Sequence, residues 1–102
     1  MEEISVKPRK HFFICINDRT GIPGNTTPSC GPRIKEEDVK KIKIWLGEQG
    51  LNRQVYCTKA RCLGFCNSDG GVACVYPEGK FVKGIKNFEE LKEFVEKEIS
   101  EL

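Results

Sequence analysis

The chain has 102 residues, of which 38% are hydrophobic and 31% charged, with a formal net charge of +2. That is one domain's length with enough apolar material for a core, which excludes wholesale disorder. The longest apolar run, Phe12 to Ile16, is far too short to insert in a membrane, and the weak, dispersed charge without aromatic residues interleaved in a basic run predicts no nucleic-acid partner.

Residues 1–10 read as a polar lead-in with no apolar core and no small-residue cleavage site. The expectation is a protein without a signal peptide, located in the cytoplasm, with its folded domain over 11–102. His11 to Ile16 is dense in strand formers and predicts a buried first strand. Asn17 to Arg33 holds so many glycines, prolines and asparagines that only a long loop fits. Over 35–49, Val39, Ile42, Trp45 and Leu46 share one helical face, and Gly50 can stop the helix. Val55 to Lys59 is a second strand, which the helical crossover makes parallel to the first. A second loop runs from Ala60 to Gly71, then a third strand from Val72 to Tyr76. Pro77-Glu78-Gly79 turns the chain into an antiparallel fourth strand, Lys80 to Ile85. Asn87 and Glu90 form a capping-box-like start for a helix whose stripe is Phe88, Leu91, Phe94, Val95, Ile99 and Leu102. The order β-α-β-β-β-α predicts an α/β, thioredoxin-like arrangement: a four-stranded mixed sheet with helices packed on it.

Cysteine is the unusual component: Cys15, Cys30, Cys57, Cys62, Cys66 and Cys74. Without a signal peptide this number points to metal or redox chemistry rather than a disulfide framework. His11 is the only histidine, which excludes a Rieske centre and a two-cysteine, two-histidine zinc site. Cys15, Cys30, Cys62 and Cys66 fall in, or at the edge of, the two loops that follow the parallel strands. The crevice beyond the carboxyl ends of such strands is where open α/β sheets bind ligands. Four soft thiolates suit a 2Fe-2S cluster or zinc. Gly64 within the second pair and Gly31 beside Cys30 allow the backbone to approach the sulfurs.

The segments FFICIN, SCGP beginning fourteen residues beyond Cys15, CLGFC and VYPEG resemble the thioredoxin-like 2Fe-2S ferredoxins, a fold shared with the small iron–sulfur subunit of NADH dehydrogenases. The resemblance runs from about His11 to the C-terminus, and CLGFC is its most specific element. It implies one 2Fe-2S cluster per chain on Cys15, Cys30, Cys62 and Cys66, one-electron transfer with redox partner proteins, no enzymatic chemistry of its own, and a homodimer. The C-x14-C first pair is closer to the standalone ferredoxins than to the complex subunit, and it makes a poor zinc knuckle. A zinc-stabilised interaction module and an iron–sulfur carrier or sensor are the competing readings. A thioredoxin-type catalyst lacks its C-x-x-C.

Cys57 and Cys74 lie outside this pattern and read as core thiols on strand faces shared with Val55 and Val72. Arg19, Arg33, Lys59 and Arg61, in or beside the ligand loops, either offset cluster charge and steer an acidic partner or merely solubilise the loops. Ile44, opposite the apolar helical stripe, is the one candidate dimer contact. Residues 87–102 carry a local charge of −4 against +6 for the remainder.

Overall fold

The computed structural model describes residues 1–24, 29–31, 33–65 and 69–102. Cys66 lies outside them. Side-chain alternation builds the sheet. In β1 (Lys10–Cys15), Phe12 and Ile14 are fully buried on one face, while His11 and Phe13 are half-buried on the other. β2 (Val55–Ala60) repeats the pattern, with Val55 and Cys57 inward and Tyr56 outward. β3 (Gly71–Tyr76) and β4 (Lys80–Ile85) complete the order β2-β1-β3-β4, in which only β1 and β2 are parallel. This is the expected mixed sheet, with ends shifted by a residue. β1 starts at Lys10 because the N–H groups of Arg9 and Lys10 both donate to the Gln54 carbonyl, at 2.7 and 3.2 Å.

α1 (Glu36–Glu48) buries Val39, Ile42 and Leu46. Its N-terminus is held by the Asp38 carboxylate, which accepts from the Lys35 N–H at 2.9 Å. It ends at Gly50, whose φ of +71° suits glycine; Gly50 N–H bonds Gly47 and Leu51 N–H bonds Leu46, a Schellman closure. In α2 (Phe88–Ile99) the Asn87 side chain accepts from Glu90 N–H at 2.9 Å. The reciprocal arm of the expected box shifts by one residue, since Glu90 Oε1 accepts from Lys86 N–H at 2.8 Å.

Both helices lie on one sheet face. Their buried residues join Phe12, Ile14, Val55, Cys57, Ala73, Val75 and Ile85 in one core, with Trp45 half-buried at its margin under Lys92. The C-terminal stripe departs from expectation. Glu98 is 1% exposed, whereas Leu102 lies beyond the helix in solvent. Lys80 Nζ reaches Glu98 Oε1 at 2.8 Å, off the hydrogen-bonding direction, and donates to Oε2 at 3.1 Å. Buried Lys10 pairs with Glu78 and, at 3.8 Å, with Glu101. These ions close the sheet end opposite the cysteines.

Among the described residues, no helix packs on the opposite sheet face. Its surface is a chain of ring contacts: His11 on Phe13 and Tyr56, Phe13 on Tyr76, Tyr76 on Phe81, and Phe81 on Phe65. Among the described residues no helix is long and apolar enough to cross a membrane.

Candidate metal centre

The register of the parallel pair sets the site. Cys15 is paired with Ala60 at the carboxyl ends of β1 and β2, and Ile16 N–H extends the ladder to the Ala60 carbonyl at 2.8 Å. Beyond that point the strands part into the two loops. The Cys15 thiol donates to the Arg61 carbonyl at 3.2 Å, directly before Cys62.

The long loop returns to its own origin. Gly31 N–H donates to the Asn17 carbonyl at 2.8 Å, and Arg19 N–H donates to Ser29 Oγ at 3.0 Å. Ser29 Oγ in turn donates to the Gly31 carbonyl at 3.0 Å. Residues 17–19 and 29–31 are thereby zipped together, with Cys30 between the two bonds that cross the loop. Contact is close enough that a Cβ on Gly31 would lie 2.7 Å from Asp18 Cβ, so only glycine fits. Asp18 is fixed by accepting from Thr20 N–H and hydroxyl, which hold its carboxyl below the usual range, the hydroxyl most. The outcome is that Cys15 and Cys30 are buried side by side in a small cluster with Val72, against which Leu63 packs.

Cys62 is exposed. Its sulfur accepts from Gly64 N–H at 3.3 Å, and an Arg19 guanidinium nitrogen lies 4.0 Å away. Three of the four expected ligands thus lie at one end of the sheet, Cys15 and Cys30 buried together and Cys62 at the surface, joined to them through Arg61 and Arg19. The set consists of thiols, the Gly64 N–H and a cation, and it fits a thiolate-held iron–sulfur group. Of the cations expected here, Lys59 is engaged with Glu36, whose carboxyl it holds below the usual range; Arg61 contributes its carbonyl.

The two remaining cysteines occupy different environments. Cys57 is in the main core, and burial pushes its thiol up to about 12. Cys74 is also buried, but on the helix-free face beneath Phe13 and Tyr76, where burial again raises its thiol. That face continues into an open cleft of about 670 Å³ whose lining includes Cys62, Leu63, Cys74 and Phe81. Sequence reasoning missed the Ser29 zipper, the reach of Arg19 to Cys62, and this cleft. The cleft left a partial trace in the sequence: His11 and Phe13 share one face of β1, and Tyr56, Tyr76 and Phe81 lie on the other strands.

The chain matches no protein-family model and no curated protein. Among solved structures it is similar to the wild-type thioredoxin-like [2Fe-2S] ferredoxin from Aquifex aeolicus, with 30% identity, a TM-score of 0.68, and coverage of 89% of this chain and 85% of that one. Two cysteine-to-serine variants of that ferredoxin match at 28% identity with TM-scores of 0.72 and 0.71, each covering 88% of this chain and 86% of the other.

Proposed function

The chain belongs to the thioredoxin-like [2Fe-2S] ferredoxin family, and on that premise we propose that it carries one electron at a time on a single 2Fe-2S cluster held by Cys15, Cys30, Cys62 and Cys66. The observation that carries the proposal is that Cys15 and Cys30 share one buried cluster at the carboxyl end of β1, while the Cys15 thiol reaches the Arg61 carbonyl directly before Cys62 and Arg19, from the loop of Cys30, lies by the Cys62 sulfur. When bound, the cluster supplies a one-electron couple that no side chain of this chain has. The protein's part is positional. Val72 and Leu63 cover Cys15 and Cys30 and exclude water from that pair. Gly64 N–H and Arg19 meet the exposed Cys62 sulfur, where electrons enter and leave. Reduced thiols are kept in the cytoplasm, the location we propose.

We further propose a twofold dimer, with the helix-free face as its contact rather than Ile44, which stands alone at 65% exposure. Tyr56, Tyr76 and Phe81 are about two-fifths exposed and Phe65 is 57% exposed. With the half-buried His11 and Phe13 they offer on the order of 400 Å² of aromatic surface, the apolar half of a standard interface of about 800 Å² per partner. Sedimentation of the parent and of Phe81→Lys tests this: a dimer that Phe81→Lys dissociates and Ile44→Lys does not is expected, and a concentration-independent monomer sinks it. The cluster is tested by iron, inorganic sulfide and visible absorbance per chain. Equal iron and sulfide with visible colour is the expected result, and a colourless zinc protein sinks it.

A further inference from the structure

We propose that Arg19 is a positioning residue for electron transfer: it joins the two ligand loops and holds a positive charge against Cys62, which makes the site easier to reduce. The inference rests on the cluster reading above and deepens it. Arg19 is half-buried and spans the site from both ends. Its backbone N–H is bonded to Ser29, the residue before Cys30, while its guanidinium lies 4.0 Å from the Cys62 sulfur on the other loop. Its acidic neighbour in sequence, Asp18, accepts from the Thr20 N–H and hydroxyl. Lys59, a second cation at this end of the sheet, is engaged with Glu36.

Reduction adds one electron from the protein's redox donor to the thiolate-held site and leaves it one charge more negative. A fixed cation beside a ligating sulfur therefore stabilises the reduced form more than the oxidised form and raises the potential. A guanidinium stays charged throughout the working pH range, so the contribution does not titrate away. The charge and the tether are separable. Arg19→Lys keeps the charge and the backbone bond to Ser29. Arg19→Gln keeps the backbone bond alone.

The test is a spectroelectrochemical titration of the cluster-loaded full chain as parent, Arg19→Gln and Arg19→Lys, with iron and sulfide measured on the same samples. The expected result is a potential that falls in Arg19→Gln, returns most of the way in Arg19→Lys, and differs less between variants as salt rises. Three equal potentials overturn the inference. So does an equal displacement in both variants, which would assign the effect to shape and not to charge. If Arg19→Gln loads poorly, iron retention under a chelator serves as the second readout: retention in Arg19→Lys with loss in Arg19→Gln supports the role, and loss in both overturns it. A parent without iron and sulfide sinks the cluster reading along with this one, whereas a loaded parent whose potential ignores Arg19 sinks this one alone.

Discussion

Cys57 stands five residues before Cys62 on β2, so replacing it separates core thiol from ligand. It is 5% exposed and belongs to the same cluster as Phe12, Leu46 and Val55. Cys57→Ala deletes one sulfur there. Transfer of that atom plus a cavity of about 20–30 Å³, at about 24 cal/mol per Å³, comes to about 1–2 kcal/mol. For a domain of this size that lowers the melting midpoint by roughly 5–15 °C, while iron and sulfide per chain stay at the parent's level. The thiol carries a pH signature as well. Burial raises it from 9.0 to about 12, with Lys43 pulling the other way. Because the folded value lies above the unfolded one, the contribution of this group to stability is fully present below about pH 9. It is lost as pH rises toward 12, by about 4 kcal/mol at the limit. Melting curves from pH 7 upward should therefore fall more steeply above about pH 9 for the parent than for Cys57→Ala. Near pH 8 the native thiol should alkylate on the order of a thousandfold more slowly than an unperturbed one. Loss of iron and sulfide in a folded Cys57→Ala protein, or fast alkylation of native Cys57, would refute the reasoning.

Three further outcomes follow from the same geometry. Cys15→Ala, Cys30→Ala, Cys62→Ala and Cys66→Ala should each lose most of their iron and visible absorbance, while Cys74→Ala keeps both; retention in Cys62→Ala alone would reassign that ligand. Gly31→Ala should also reduce iron content, because its Cβ strikes Asp18 and opens the zipper around Cys30, whereas Gly21→Ala, with open space around it, should load like the parent. Lys80→Gln should lower the melting midpoint more than Lys83→Gln. The first strands the buried Glu98 carboxylate, and the second removes an ion pair with Asp69 whose two side chains are both more than half exposed. Equal midpoints would show that Glu98 does not depend on Lys80.

The fold was legible because its signals are local and periodic. The density of strand formers in HFFICI, the helical spacing of Val39, Ile42 and Leu46, and the Asn87 cap each lie within a few residues and agree with one another. The parallel pairing of β1 with β2 followed from the crossover rule and that of β3 with β4 from the intervening turn, which makes it antiparallel. The four-cysteine pattern was proposed from spacing and resemblance; among the described residues Cys15 and Cys30 share one buried cluster, and the Cys15 thiol reaches the carbonyl of Arg61, the residue before Cys62. What sequence could not reveal depends on pairs far apart in the chain. Glu98 falls next to Ile99 on the helix and nothing local marks it for burial; its partner Lys80 is at the start of β4. Arg19 is one basic loop residue among four until the zipper to Ser29 aims it at Cys62. The helix-free aromatic face could not be told from a second buried face, because alternation reveals two faces but not which of them a helix covers.

The most direct test of the central claim is a coulometric titration of the purified protein followed by visible absorbance. The account predicts one electron per chain, taken up reversibly in a single wave as the absorbance bleaches, in protein that contains two irons and two sulfides per chain. Uptake of two electrons per chain without iron, or no uptake at all by a colourless protein, would contradict it.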